Sequence, residues 1–257
     1  MLLLKLARAI SIIATVAITL VAVRGGIALA GTFQVNPIRI YLSQRSSSQL
    51  LTVKNDSAER IRFQASIFAW DQASDGEMIL TPTEDVIFYP NLLTAEPNEE
   101  RKIRVGVGAK SAFSASEKSY RIFVEELPSA EKQEQSGVRI LTKMGIPVFV
   151  QPAKLNPLGK INNLNFTRGQ FFFTLSNSGN SHFFPRTVAV LGKNGRGEVV
   201  LNGQLQPWYI LAGGTREYSV KLQGKDCPQI QELNVEIQLD DKKLAETISM
   251  PRNLCQG

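Results

Sequence analysis

His182 is the only histidine in the chain. Its surroundings, NSGNSHFF, read as a turn, so it is expected to be a solvated loop residue rather than a general base or a metal ligand. No GxSxG, no phosphate-gripping glycine loop and no HExxH occurs. Asp240-Asp241 and Glu99-Glu100 stand beside lysines or arginines, the pattern of solvated turns rather than of carboxylates held for acid–base work. The sequence therefore predicts no catalysis, no metal and no cofactor.

Arg39 offers a different chemistry. It sits in NPIRIYL, and if Ile38 and Ile40 pack on a core, Arg39 faces the opposite side of that strand. There it either lies on a wet sheet face or stands in a cleft between two sandwiches. In a cleft its planar fork would bind a carboxylate through two hydrogen bonds, which a lysine does less well. Cys227 and Cys255, the only cysteines, lack the CxxC spacing of a redox pair. In an oxidising compartment they read as a disulfide, worth roughly 3 to 4 kcal/mol to the C-terminal domain in the chain-entropy account.

The elements that must position these residues read as strands throughout. FQVNPIRIYL (33–42) carries Pro37 inside it, which marks an edge, a bulge or a switch between sheets. SSSQLLTVKND (46–56) alternates and stops at Asn55-Asp56-Ser57. RIRFQASIFAW (60–70) places Ile61, Phe63, Ala65, Ile67 and Ala69 on one face, with Trp70 either plugging a core or lying at a rim. Strands also read from 85 to 89, 102 to 107 and 117 to 128. With Val138–Pro152 that makes about seven strands in 120 residues, the pattern of an immunoglobulin-like sandwich without a Cys–Trp–Cys framework. QPAKLNPLG (151–159) reads as a short stiff linker, after which QFFFTLSN, TVAVL, REYSVKL, ELNVEIQL and LAETISM make a second sandwich. The fold class is thus all-β, two immunoglobulin-like sandwiches over 31–151 and 152–257.

VRILTKMGIPVFVQP (138–152) is the stretch around which the rest is arranged. It reads as one long strand leaving the charged loop PSAEKQEQSG (128–137). Its first half alternates and its last half is continuously apolar, as for a strand that is half edge and half core. Such a strand could lend its open half to another protein.

Ahead of the sandwiches, Lys5, Arg8 and an apolar run from Ala9 to Val23 end in Ala28-Leu29-Ala30, a signal-peptide pattern with cleavage after Ala30. Arg24 stops the run short of the roughly 20 residues a membrane span needs. Removing Lys5, Arg8 and Arg24 from 29 basic residues leaves 26 against 23 acidic, so the net charge falls from +6 to +3. That balance and the lack of a binding motif argue against nucleic acid as a partner.

NPIRIYL, LLTVKND, the strand ending in Trp70, FYPNLLTAEPNEERKIRV, EKSYRIFVEELP and IPVFVQP keep an order and spacing that resembles the periplasmic pilus (fimbrial) chaperones of the chaperone–usher pathway. The IPVFV-P ending is closest to a divergent branch. The resemblance covers about 120 residues; the second half fits by length and strand pattern alone. It implies a boomerang-like pair of sandwiches, no enzyme activity, pilin subunits and an outer-membrane usher as partners, and a periplasmic location. It implies donor-strand complementation, with Val138 and Ile140 filling a subunit's groove and Thr142 as a smaller third. It also implies two basic residues gripping the subunit's C-terminal carboxylate. Arg39 matches the first. Pro147 occupies the position of the second, a lysine in the family; Lys143 lies on the same side by period two, and Arg104 and Arg121 are other candidates. Two readings compete with this one. One is an exported structural or adhesive surface protein of two sandwiches; the other is a periplasmic enzyme or solute-binding module, for which no polar constellation is found.

Overall fold

Pro37 marks the first structural decision. The computed structural model, which describes residues 33–109, 113–128, 140–167, 169–222 and 227–251, carries β1 (Phe33–Asn36) in one sheet and β2 (Ile40–Leu42) in the other. Proline offers no amide to a ladder, and the chain changes sheets there. The crossing breaks the alternation expected of one continuous strand. Ile40 is buried while Ile38 is 68% exposed, so Ile38 does not pack on the core.

The first sandwich continues with β3 (Ser48–Asn55), β4 (Ile61–Gln72), β5 (Met78–Pro82), β6 (Val86–Tyr89), β7 (Leu92–Ala95), β8 (Glu100–Val107), β9 (Lys118–Leu127) and β10 (Lys143–Val150). One sheet runs β1-β3-β8-β6. The other runs β2-β10-β9-β4-β5, with β7 also paired to β4. Alternation puts Ile61, Phe63, Ala65 and Ile67 of β4 and Tyr120, Ile122 and Val124 of β9 into one core, together with Leu51, Val53, Ile103 and Val105 of the facing sheet. Asn55 is buried at the edge of this core and satisfied. Its amide donates to the carbonyls of Glu59 and Ala95, and its oxygen accepts from the Ser57 amide.

The second sandwich comprises β11 (Gly159–Thr167), β12 (Gln170–Asn177), β13 (Thr187–Lys193), β14 (Val199–Leu205), β15 (Thr215–Lys221), β16 (Glu232–Gln238) and β17 (Lys243–Ser249), with a short 3-10 turn at Cys227–Gln229. Its sheets run β11-β12-β15 and β14-β13-β16-β17. They close on a separate core around Phe171, Phe173, Leu175, Val188, Val190, Val235 and Ile237. Buried Asn177 donates to the carbonyls of Ser181, Ile210 and Leu211 and fixes the loops facing the first sandwich. A third, aromatic cluster lies where the sandwiches meet: Trp70 and Phe149 from the first, Tyr209 and Leu211 from the second. Trp70 therefore seals the contact between domains. Among the described residues no helix is long and apolar enough to cross a membrane.

Candidate functional site

β10 is the last strand of the first sandwich, and it is held unequally on its two sides. Antiparallel β9 pairs with it along its whole length, from Lys143↔Glu125 to Val150↔Lys118. Parallel β2 is three residues long and pairs only with Val148, Phe149 and Val150. Residues 143–147 therefore have an open flank among the described residues. The expected strand from 138 to 152 is shorter at both ends: 140–142 carry no strand assignment, and Val138 lies outside the described residues.

The side chains of β10 follow the same gradient. Val148 and Ile146 are buried in the core, and Met144 packs partly against it. Period two carries this row on through half-buried Thr142 to Ile140, which is 79% exposed. The Glu126 amide still donates to the Thr142 carbonyl at 3.0 Å, so β9 keeps its hold one residue beyond the assigned strand. A row that begins in a core thus ends in solvent, along a flank that no described strand pairs.

Where β2 meets β10, the chain also enters the cleft between sandwiches. Arg39 stands one residue ahead of β2. Its Nε donates to the Tyr209 hydroxyl at 2.6 Å, and its guanidinium carbon lies 5.7 Å from the ring centroids of both Phe184 and Tyr209. The bond to Tyr209, opposed by burial, raises the Arg39 pKa. A cavity of about 300 Å³ opens beside it, lined among others by Tyr41, His182, Phe184 and Asp240. Desolvation, which works against the Arg39 rise, pushes the Tyr41 phenol up, with Arg39 acting against it.

The remaining sequence candidates separate. Lys143 is four residues from Pro147, hence about 13 Å along the strand from the row of Arg39. Its ammonium pairs with Glu125 at 3.0 Å and lies 5.0 Å from the Phe123 ring centroid, so the structure does not bring it to Arg39. Arg104 lies on the exposed face of β8, donating to the Ser48 hydroxyl. Arg121 instead faces the cleft beneath Trp70 and Trp208. Cys227 is buried on the rim of the second core; Cys255 lies outside the described residues.

His182 is not a solvated loop residue. Its Nδ1 lies 2.6 Å from Oε1 of Glu117, the same oxygen accepts from the His182 amide at 3.0 Å, and its ring stacks on Phe149 at 3.6 Å. The partner comes from the other sandwich, 65 residues away, and the local turn pattern carried no sign of it. Other contacts cross the same junction: the Gln72 side-chain amide donates to the Tyr209 carbonyl, and the Glu217 amide to the Ser74 carbonyl.

Residues 32–156 match the family described as pili and flagellar-assembly chaperone, PapD N-terminal domain. Over these residues, 125 of the 257, the chain resembles the pilus-chaperone family. Comparison with curated proteins finds no match. Among solved structures, the fold is similar to that of a chain of the CsuC–CsuE chaperone–tip adhesion subunit pre-assembly complex from the archaic chaperone–usher Csu pili of Acinetobacter baumannii. There the TM-score is 0.57 at 17% identity, over 85% of this chain and 98% of that one. It is also similar to a chain of the Salmonella enterica SafA pilin–SafB chaperone complex, with TM-score 0.53 at 12% identity over 86% and 97%. The E. coli chaperone DraB gives 0.52 at 16% over 85% and 97%. At these identities the likeness establishes the fold: all-β, two immunoglobulin-like sandwiches.

Proposed function

We propose that this chain is a pilus-assembly chaperone that holds a pilin subunit by lending it the open half of β10. The observation that carries this is the Val148–Ile146–Met144–Thr142–Ile140 row, which leaves its own core beside a flank that β2 does not cover. Strand addition along such a flank gives main-chain hydrogen bonds, and alternate side chains fill the guest's groove, the mode known for chaperone–pilin pairs. Val138 and Ile140 are the donors and Thr142 the smaller third. Burying two such aliphatic side chains contributes on the order of 3 to 6 kcal/mol before ordering costs, a hold that can later be released. The same occupation protects the guest from edge-to-edge aggregation.

The family match supports a role without catalysis and does not favour the rival reading as a surface subunit. The rest of the proposal follows the resemblance. A signal peptide over 1–30 sends the chain to the periplasm, where Cys227 and Cys255 pair. The chaperone domain spans 31–151 and the second sandwich 152–257. Arg39 anchors the subunit's C-terminal carboxylate, and the loaded subunit passes to an outer-membrane usher. Neighbours that are chaperone–pilin and chaperone–tip subunit complexes support the choice of partner.

The test is co-expression with a candidate pilin, followed by purification through a tag on the chaperone. The wild type retains the subunit, and a Val138→Asp/Ile140→Asp double variant of unchanged circular dichroism does not. Equal recovery with both would remove the strand-donor reading.

A further inference from the structure

The two edges of β10 belong to different partners, and the alternation of its hydrogen bonds says which residue serves which edge. The Glu126 amide donates to the Thr142 carbonyl at 3.0 Å, and the register runs on from that pair without a shift. In an antiparallel ladder, residues that exchange hydrogen bonds alternate with residues that turn away. Met144, Ile146, Val148 and Val150 therefore point their amides and carbonyls at β9. Lys143, Gly145, Pro147 and Phe149 point theirs at the opposite edge. The Gln151 amide keeps this phase, donating to the Leu42 carbonyl of β2 at 2.7 Å.

β2 takes only the far end of that edge. Its parallel register, from Val148↔Ile40 to Val150↔Leu42, gives it Phe149 and Gln151. Two residues earlier the same register sets position 147 against the Ile38 carbonyl, and there β10 supplies no donor, because proline has no N–H. β2 reaches no further back, since Asn36 is paired with Thr52 in the other sheet. Among the described residues, the main-chain groups that β10 leaves open are thus those of Lys143 and Gly145. Pro147 itself is buried, and its nitrogen lies at the point where the open edge gives way to β2.

A proline is tolerated in a sheet where its nitrogen faces an unpaired edge. On an edge built for lending, it also sets a length. An added strand gains main-chain hydrogen bonds only where its host offers donors and acceptors. Here it finds both at Lys143 and Gly145, then a nitrogen with no proton, then β2. We propose that Pro147 is a register stop, which ends a guest strand's ladder at Gly145 and keeps the hold short enough to release. The proposal rests on the reading of β10 as a donor strand and fixes where that donation ends.

Amide exchange followed by NMR tests this on the chaperone alone and on its complex co-purified with a candidate pilin. In the free wild type, Lys143 and Gly145 should exchange fast, while Met144, Ile146 and Phe149 exchange slowly. Capture should slow Lys143 and Gly145 and leave the Ile40 and Leu42 amides of β2 as slow as before. Faster exchange at Ile40 and Leu42 in the complex would show a guest that runs past Pro147 and displaces β2, which overturns the stop. Pro147→Val restores the missing donor. Its new amide should be fast in the free chaperone and slow in the complex, with subunit dissociation slowed about fivefold by one further hydrogen bond. A new amide already slow without the subunit, or an unchanged dissociation rate, would equally overturn it; the wild-type pattern decides even if the variant fails to fold. Failure of the underlying reading looks different. A wild type that captures no subunit, or captures one while Lys143 and Gly145 stay fast, removes the donor strand and the stop together.

Discussion

The Nδ1 of His182, in the second sandwich, lies 2.6 Å from Oε1 of Glu117, in the first, and the Glu117 side chain has no exposed surface. The contact is packed under Phe149, whose ring stacks on the imidazole. His182→Ala should take the imidazole from a buried carboxyl whose Oε1 keeps only the amide of residue 182, at a cost of about 1 to 3 kcal/mol. Glu117→Gln/His182→Ala should cost less than the sum of the single changes, because the residues touch. Urea unfolding of the four proteins measures this, and additive losses would show that the pair does not couple the sandwiches.

Ile140 and Ile146 lie on one row of β10, yet they should respond oppositely to the same change. Ile146 is in the core and Ile140 is exposed. Ile146→Asp buries an unpaired charge and should prevent folding. Ile140→Asp should shift stability by no more than about 0.5 kcal/mol while abolishing subunit capture. A thermal melt and a pull-down on the same samples separate the effects; an Ile140→Asp protein that melts early would mean that this residue serves its own fold.

Much of this was legible in the sequence, and the omissions have physical causes. Strand patterns locate β3, β4, β8, β9 and β10, and alternation puts Ile61, Phe63, Ala65 and Ile67 of β4 on the face that is buried; of the edge, bulge or switch between sheets that Pro37 allows, the structure shows the switch. β5, MILTP, was missed because nearly every residue is exposed and no period shows; β11 and β14 were missed because polar residues interrupt both. For Arg39 the pattern leaves a wet sheet face and a cleft both open, on the premise that Ile38 and Ile40 share a core; the residue bonds Tyr209 of the second sandwich although Ile38 is exposed. Arg121 and His182 were underrated for one shared reason. Their settings are made by Trp208, Glu117 and Phe149, residues distant in the chain, and period within a strand says nothing about what the opposite sandwich supplies.

Burial of one phenol sets an alkaline limit to stability. It pushes the Tyr218 pKa up, with Arg216 acting against it. An unfolded phenol ionises near pH 10, whereas the folded state favours the neutral form. This contribution is therefore complete below about pH 10 and is lost as pH rises through the raised value. Tyr218→Phe should flatten part of the fall in urea midpoint between pH 9 and 11, a window of about one unit either side of that value. An unchanged slope would show that Tyr218 is not its source.

The two cysteines offer a covalent check on the second sandwich. If Cys227 pairs with Cys255, denatured protein should show no free thiol until it is reduced. Cys227→Ser should then lower stability by roughly 3 to 4 kcal/mol. One or more thiols titrating without reductant would remove the pairing.

Arg39 and Lys143 carry the same charge and should not matter equally. The ammonium of Lys143 is half exposed and engaged with Glu125, a surface pair worth at most about 1 kcal/mol, and it is remote from the row of Arg39. Lys143→Ala should therefore change subunit affinity by no more than about fivefold, the ratio that such an energy allows. Arg39→Ala should weaken it by tenfold or more, and Arg39→Lys should rescue little, since one point charge does not replace a fork. Tyr209→Phe provides the control, removing the acceptor that holds Arg39 Nε while leaving the cation in place. Surface plasmon resonance with a purified subunit reads all four. Equal losses from Arg39→Ala and Lys143→Ala would mean that the guest reaches further along β10 than the cleft, and that charge rather than the planar fork recognises it.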